Sequence, residues 1–297
     1  MYIKKREQEG NMKKTLVAVT IVALFSGTVQ CQIVHQIRIP LSNERGVPFD
    51  YGGDPNGDYL TGFDVDSQGN YFFLAGYPAI LVKMAPDGKI IYRQTYTRYM
   101  TGMTINDNYL YVFNAAYDSN TLTVLKTSNG EIVRQFSKLT PAIVNDVFWG
   151  DSILVLELQD KAKIATWKFQ GPFEKFSLKG KLLGTAFNMF NLPDSIYNVA
   201  PSRGEGMFLG RIDRLYIYQN YATDRGNDYE VVAFNSNGGQ VGKVYLTQNS
   251  LGVPFFGLSQ NWRLRDGKIY ILTQKGKDAV VTQLSVQELL EGSSKNK

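Results

Sequence analysis

The chain has 297 residues, 43% of them hydrophobic and 20% charged, the balance of an ordinary globular protein. Its net charge is +5, but five bases and two acids lie before residue 32, and the remainder carries only +2. That near-neutral remainder excludes the basic footprint of a nucleic-acid binder, and 18 Tyr with 17 Phe point to half-buried strands.

The first element is a leader. Residues 12–32 read MKKTLVAVTIVALFSGTVQCQ, with Lys13 and Lys14 ahead of an apolar run from Leu16 to Phe25 and small or polar residues after it. This is the pattern of an export signal. A run of ten residues is too short to cross a bilayer, which takes about 20, so no transmembrane segment is expected. Translation is placed at Met12, cleavage after Cys31, and the destination in the periplasm or outside the cell. The alternative makes Cys31 a lipid anchor, although Thr28, Val29 and Gln30 before it match that signal poorly. Cys31 is the only cysteine; the remaining chain must fold without a disulfide of its own. The expected organisation is 1–31 as extension and signal, 32–290 as one domain and 291–297 as a disordered tail.

Beyond the leader, VHQIRIPL (34–41) reads as a strand. The stretch GFDVDSQGNYFFLAG (62–76) then allows two readings. Asp64, Asp66 and Gln68 alternate like the start of a calcium loop, but position 12 from Asp64 is Ala75, where such a loop needs a bidentate Glu. In the other reading Asp66 and Asn70 close a turn between two strands and Gly69 takes the φ > 0 position. The repeat decides for the turn. Runs like NYFFLA recur at 107–113 (DNYLYVF), 150–156 (GDSILVL), 212–218 (IDRLYIY) and 266–272 (DGKIYIL), each entered by a turn.

A short strand fits ahead of each run, begun near Gly62, Gly102, Asn145, Gly206 and Gly257. A third strand follows each: AILVKMA, TLTVLKT, KIATWKF (163–169), YEVVAFN and AVVTQLS. Asp87-Gly88, Asn129-Gly130 and Asn237-Gly238 are hairpin pairs, and fourth strands such as KIIYRQTY and EIVRQFS come next. Four-stranded units that cannot bury both faces alone stack radially. The predicted fold is therefore all-β: a β-propeller of five four-stranded blades, with six as the alternative.

The fifth repeat lacks a fourth strand after DAVVTQLSVQ, and the N-terminal strand is expected to complete it and close the ring. The likeness of LSNERGVPF (41–49) to LTQNSLGVPF (246–255) agrees, since both would follow a fourth strand. Residues 181–205 are read as a long loop or a reduced sixth blade. VQELLEG near the C-terminus is the one stretch suited to a helical turn.

FDVDSQGNYFFLAG…ILVKMAPDGKIIYR resembles the repeat of NHL-type propellers and of exported six-bladed propellers common in Bacteroidetes. The D-x-x-G-N turn at Asp66 to Asn70, the aromatic strand after it and the P-D-G-K turn at Pro86 to Lys89 carry the resemblance. It is good over 60–97, fair over 100–136 and general elsewhere. It implies a fold, and one such scaffold hosts many functions.

Few residues offer catalysis. His35 is the sole histidine, so a His-based metal centre and a Cys–His pair are excluded and a Ser-His-Asp triad would need a terminal His. Asp50, Asp54 and Asp58 sit in a Gly-rich connection whose spacing is no metal signature; it reads as a solvated link, with carbohydrate or Ca²⁺ binding as the alternative. Trp149, Trp167 and Trp262 suit packing between blades. Arg263 and Arg265 alternate on one strand, as a solvated face or as partners of a neighbouring blade's acids.

In an up-and-down blade the links between blades and the links from second to third strand emerge on one side. That groups 42–61, 114–120, 157–163, 181–205, 219–228 and 247–256. The ligand-binding residues expected there are Tyr51, Tyr59, Tyr117, Tyr197, Arg203, Tyr221 and Arg225, beside Phe187, Phe190, Phe255, Phe256, Asp118, Asp160, Glu205, Asp224 and Asp228. Aromatic rings beside Arg and Asp suit a protein, peptide or glycan; the same rings could instead fold the loops down as satellite cores. The expected function is non-catalytic binding through this face, without a cofactor. The alternative is a propeller hydrolase, lyase or lactonase working with carboxylates, and Ca²⁺, at the central channel.

Overall fold

The computed structural model describes residues 35–42, 45–48, 60–75, 78–97, 100–106, 108–114, 121–137, 144–150, 153–158, 173–176, 182–186, 206–222, 228–253, 255, 261–287 and 289–290. The strands are β1 (His35–Pro40), β2 (Leu60–Val65), β3 (Tyr71–Ala75), β4 (Ala79–Met84), β5 (Ile90–Tyr96), β6 (Thr101–Asn106), β7 (Tyr109–Asn114), β8 (Thr121–Lys126), β9 (Ile132–Ser137) and β10 (Val144–Gly150). They continue as β11 (Ile153–Leu158), β12 (Phe173–Phe176), β13 (Leu182–Ala186), β14 (Gly206–Ile212), β15 (Leu215–Ala222), β16 (Asp228–Phe234), β17 (Gln240–Leu246), β18 (Trp262–Arg265), β19 (Lys268–Lys275) and β20 (Asp278–Ser285). A short helix, α1 (Gln248–Leu251), follows β17.

The architecture is an all-β propeller of four-stranded antiparallel sheets. The described strands form β2–β5, β6–β9, β10–β13, β14–β17 and the sheet ordered β1-β20-β19-β18. Side chains are described in all but β10–β13, which is known by its backbone. β2, β6, β10, β14 and β18 are the strands on the axis side. β14, β18, β2, β6 and β10 are neighbours in that succession.

Strand alternation explains the packing. Tyr71, Phe73 and Ala75 point into the cluster against the last sheet, with Tyr270, Leu272, Ala279 and Val281. Phe72 and Leu74, one residue out of phase, point into the cluster against the second sheet, with Met103, Ile105, Leu110 and Val112. Both faces of the sheet are buried between blades, so β3 is apolar throughout. Trp262 packs between sheets as expected, its ring 5.4 Å from that of Tyr229. Trp167 lies outside the described residues, as does the side chain of Trp149.

The N-terminal strand enters the last sheet. β1 pairs antiparallel with β20 from His35↔Gln283 to Pro40↔Asp278, so the edge left by the missing fourth strand is covered from the other end of the chain. The two GVPF segments also behave alike. Val47 bridges Leu41 and Val253 bridges Gln274, each just after an outer strand. A Cβ on Gly46 would lie 1.8 Å from the Pro40 carbonyl oxygen, and one on Gly252 2.6 Å from that of Gln274. Only glycine fits such an approach. The chain after β20 is helical at Val286, Gln287, Leu289 and Leu290 and packs on β17, where a Cβ on Gly242 would lie 3.0 Å from the Leu289 carbonyl oxygen.

Three expectations need correction. The third strand of the third repeat is β12 at 173–176 and not 163–169, which lies outside the described residues. Residues 182–186 are the fourth strand of that sheet and not part of a loop: β12 and β13 pair from Phe173↔Ala186 to Phe176↔Leu182. The first strand of the fifth repeat starts at Trp262, five residues beyond Gly257. Propensity located the strands, but a long connection between second and third strands displaced the rest of the repeat.

Candidate functional site

The opening stretch resolves into a turn and a clasp. Asp66 Oδ1 accepts hydrogen bonds from the backbone N–H of Gln68 at 3.0 Å and of Asn70 at 2.8 Å. Its Oδ2 accepts from Asn70 Nδ2 at 2.9 Å and meets Lys83 Nζ at 3.1 Å. Gly69 has φ +80°. This side chain builds the turn, as the repeat predicted. Lys83 also donates to the Thr127 carbonyl at 3.2 Å and lies over the Phe72 ring, tying the turn to the second sheet.

Asp64, two residues earlier, is fully buried. Its Oδ1 accepts from the Val65 N–H at 2.8 Å, and its Oδ2 from the Ile105 N–H at 2.8 Å and Arg265 Nη2 at 2.7 Å. Arg263 Nε stands 3.5 Å from Oδ1. Arg265 Nε also donates to the Val65 carbonyl at 3.2 Å and its Nη2 to that of Ile105 at 3.4 Å; Arg263 Nη2 donates to the Met103 carbonyl at 3.3 Å. Two arginines of the last sheet thus cross the inner edge of β2 and reach β6.

The reason is the inner edge itself. An innermost strand has no sheet partner on its axis side, and its N–H and C=O groups there must be satisfied some other way. Residues 103 and 105 of β6 present such groups, and the charged side chains meet them. Trp262 and Leu264, alternating with the arginines, point into the apolar cluster against β14–β17 instead. Of the two expectations for Arg263 and Arg265, pairing with a neighbouring blade's acid holds, and the acid is Asp64.

Both carboxylates of the calcium-like stretch are therefore engaged by protein groups. Among the described residues no group of three or more His, Cys, Asp or Glu side chains gathers as for a metal. Burial pushes the Tyr71 phenol up to about 12, with the nearby Tyr270 adding to the effect. Tyr270 is itself raised, by burial first and then by Asp266 and Asp66. His35 is exposed at the start of β1.

The residues expected to bind ligand fall elsewhere. Tyr51, Tyr59, Tyr117, Tyr197, Arg203 and Arg225 lie outside the described residues. Tyr221 was placed on a loop, but its backbone belongs to β15, opposite Tyr229; the pairing of β15 with β16 continues to Ala222↔Asp228 and leaves only 223–227 as the connection. Phe255 is buried between the first and last sheets with Val47, the satellite-core outcome for that ring. Asp228 accepts the Gln248 N–H at 3.0 Å at the start of α1. The clasp was not foreseen as a unit, because nothing local in β2 names a partner 200 residues away.

No protein-family model and no curated relative matches the sequence. Solved structures do resemble the fold. A putative exported protein from Bacteroides fragilis aligns at a TM-score of 0.50 and 7% identity, covering 88% of this chain and 97% of that one. Glutaminyl cyclase from Myxococcus xanthus aligns at 0.48 and 12%, over 85% and 95%. BamB from Moraxella catarrhalis aligns at 0.37 and 12%, over 85% and 97%. At 7% identity the first of these likenesses speaks for the fold alone. Among the described residues no helix is long and apolar enough to cross a membrane.

Proposed function

We propose that the chain is an exported, non-catalytic β-propeller that binds a protein, peptide or glycan through one end of its ring. In this reading the ring has five blades, the last completed by β1, and it closes where β10 and β14 become neighbours. Export rests on the signal pattern of residues 12–32.

The observation that carries the reading is the inequality of the two ends. At one end the strands are joined by 66–70, 85–89, 107–108, 127–131, 151–152, 177–181, 213–214, 235–239 and 266–267; the turns at 66–70, 85–89, 127–131 and 235–239 are closed by backbone hydrogen bonds of their own. At the other end the strands are joined through 41–59, 115–120, 138–143, 159–172, 187–205, 223–227 and 247–261, beside the short 76–78, 97–100 and 276–277. The short turns serve register; the long connections exceed what joining strands requires, and connections of that length carry function in many folds. Tyr51, Tyr59, Tyr117, Tyr197, Arg203 and Arg225 all fall in this second set, and Tyr221 at the strand end beside it. The carboxylates described near the axis are spent on structure, which favours binding over channel catalysis.

The test is a screen of the chain from Gln32 against immobilised glycan and peptide libraries. A binder whose affinity falls at least about tenfold in Tyr197→Ala and Arg203→Ala is expected. Binders indifferent to both changes, or turnover of a library member, would overturn the reading.

A further inference from the structure

Among the described residues six large apolar side chains are exposed, and five of them lie at the turn end of the first two sheets. They are Ile90, Ile91, Tyr109, Ile132 and Val133, between 37% and 49% exposed. Ile90–Ile91 open β5 and Ile132–Val133 open β9, and these are the outermost strands of adjacent sheets. The two sites are joined. Tyr96 Oη of β5 donates to the Gly130 carbonyl at 2.5 Å, and a Cβ on Gly130 would lie 3.1 Å from the Tyr92 ring. The turn that launches β9 therefore rests on β5.

The fold does not require these residues. Of the other outer strands, β17 opens on Gln240–Val241 and β1 on His35–Gln36, whereas β13 opens on Leu182–Leu183. β17 is further covered by Leu289 and Leu290. β9, by contrast, is exposed at every position except Phe136, and no described strand lies beyond it. An open sheet edge with apolar side chains on both faces is what natural proteins avoid unless something adds to it.

Charge indicates what adds. Lys89 pairs with Asp87 and Lys126 with Glu131, each at 2.7 Å, so these charges cancel locally. Arg93 is directed to the Gly46 carbonyl at 2.8 Å. Arg134 is exposed over the Phe136 ring and makes no ion pair among the described residues. The edge is apolar with a cation on it.

We propose that β9 is a docking edge for an extended segment of another protein, apolar on both faces opposite Ile132 and Val133 and acidic opposite Arg134, which adds as a fifth strand. Its apolar side chains cover Ile132 and Val133, and an acidic side chain faces Arg134; main-chain hydrogen bonds supply affinity and the side chains supply choice. This surface lies at the opposite end of the sheets from the loop connections and does not depend on them.

The test uses the chain from Gln32 and a capped peptide in which pairs of valines alternate with single glutamates, read by fluorescence anisotropy. Arg134→Glu and Val133→Glu should each weaken binding about tenfold, with unchanged circular dichroism, and Arg134→Glu should transfer preference to a valine–lysine peptide. Absence of peptide binding, or binding indifferent to both substitutions, overturns the proposal. Two further outcomes also overturn it: attachment to phosphatidylglycerol vesicles in place of the peptide, which would make the patch a membrane surface, and self-association abolished by Val133→Glu, which would make it an interface between copies.

Discussion

β2 and β5 are the inner and outer strands of one sheet, and they meet opposite fates. Every residue of β2 is buried, including Asp64, whereas β5 is exposed or half-buried until Tyr96. Both strands have one edge without a sheet partner. At the inner edge neighbouring strands converge, water is scarce, and charged side chains from other blades must satisfy the backbone. At the outer edge water does so, and side-chain identity is released from folding. A polar residue on the inner edge therefore speaks for structure, and an apolar residue on the outer edge for a partner.

The sharpest way to break this contrast is Asp64→Ala. It strips the carboxylate from two arginines and leaves the Ile105 N–H without its acceptor, at an expected cost of about 3–5 kcal/mol; urea unfolding measures it. A cost below about 1 kcal/mol would mean that the inner edge is as permissive as the outer. Arg265→Met keeps the volume and leaves Arg263 beside Asp64, so a smaller loss of about 1–3 kcal/mol is expected in the same experiment.

Alkaline unfolding probes the interior next. The Tyr71 phenol is held up to about 12, and burial raises Tyr92, Tyr96 and Tyr218 as well. The unfolded chain releases these protons first, so stability is full below the ordinary tyrosine range, about 10, and declines as pH rises through and above it. Tyrosinate absorbance should appear together with loss of circular dichroism; phenols that titrate smoothly ahead of unfolding would contradict the burial.

At the outer edge the expectations shrink. Val133→Thr should alter stability by no more than about 0.5 kcal/mol, and a larger loss would mean that the patch serves the fold. The smallest effect belongs to Glu131, which Lys126 holds below the ordinary carboxylate range. Its contribution is present above that range and lost as pH falls through the lowered value. Because both partners are exposed, Glu131→Gln should leave the acid unfolding midpoint nearly unmoved.

Residues 62–76 mark how far the sequence could be read. The alternation of Tyr71 to Ala75 and the Asp66–Asn70 turn were legible because strand period and turn chemistry are local. The missing fourth strand in the last repeat led to β1, since a sheet edge left open calls for cover. The third sheet was misread where 159–172 intervenes, because a repeat with a long internal connection loses its period. Of the residues expected to bind ligand, only Tyr221 falls among those described, and the ladder to Tyr229 extends its strand beyond where side-chain composition suggested a loop.

Composition, strand period and turn residues determined by themselves that the chain builds repeated antiparallel units and needs its N-terminal strand to finish the last. Only the tertiary structure decided that Asp64 serves Arg263 and Arg265 and that Ile132 and Val133 are left uncovered. The physical reason is that partners 200 residues apart, and the choice of which edges meet water, arise when the sheets pack around an axis, and no local pattern encodes either.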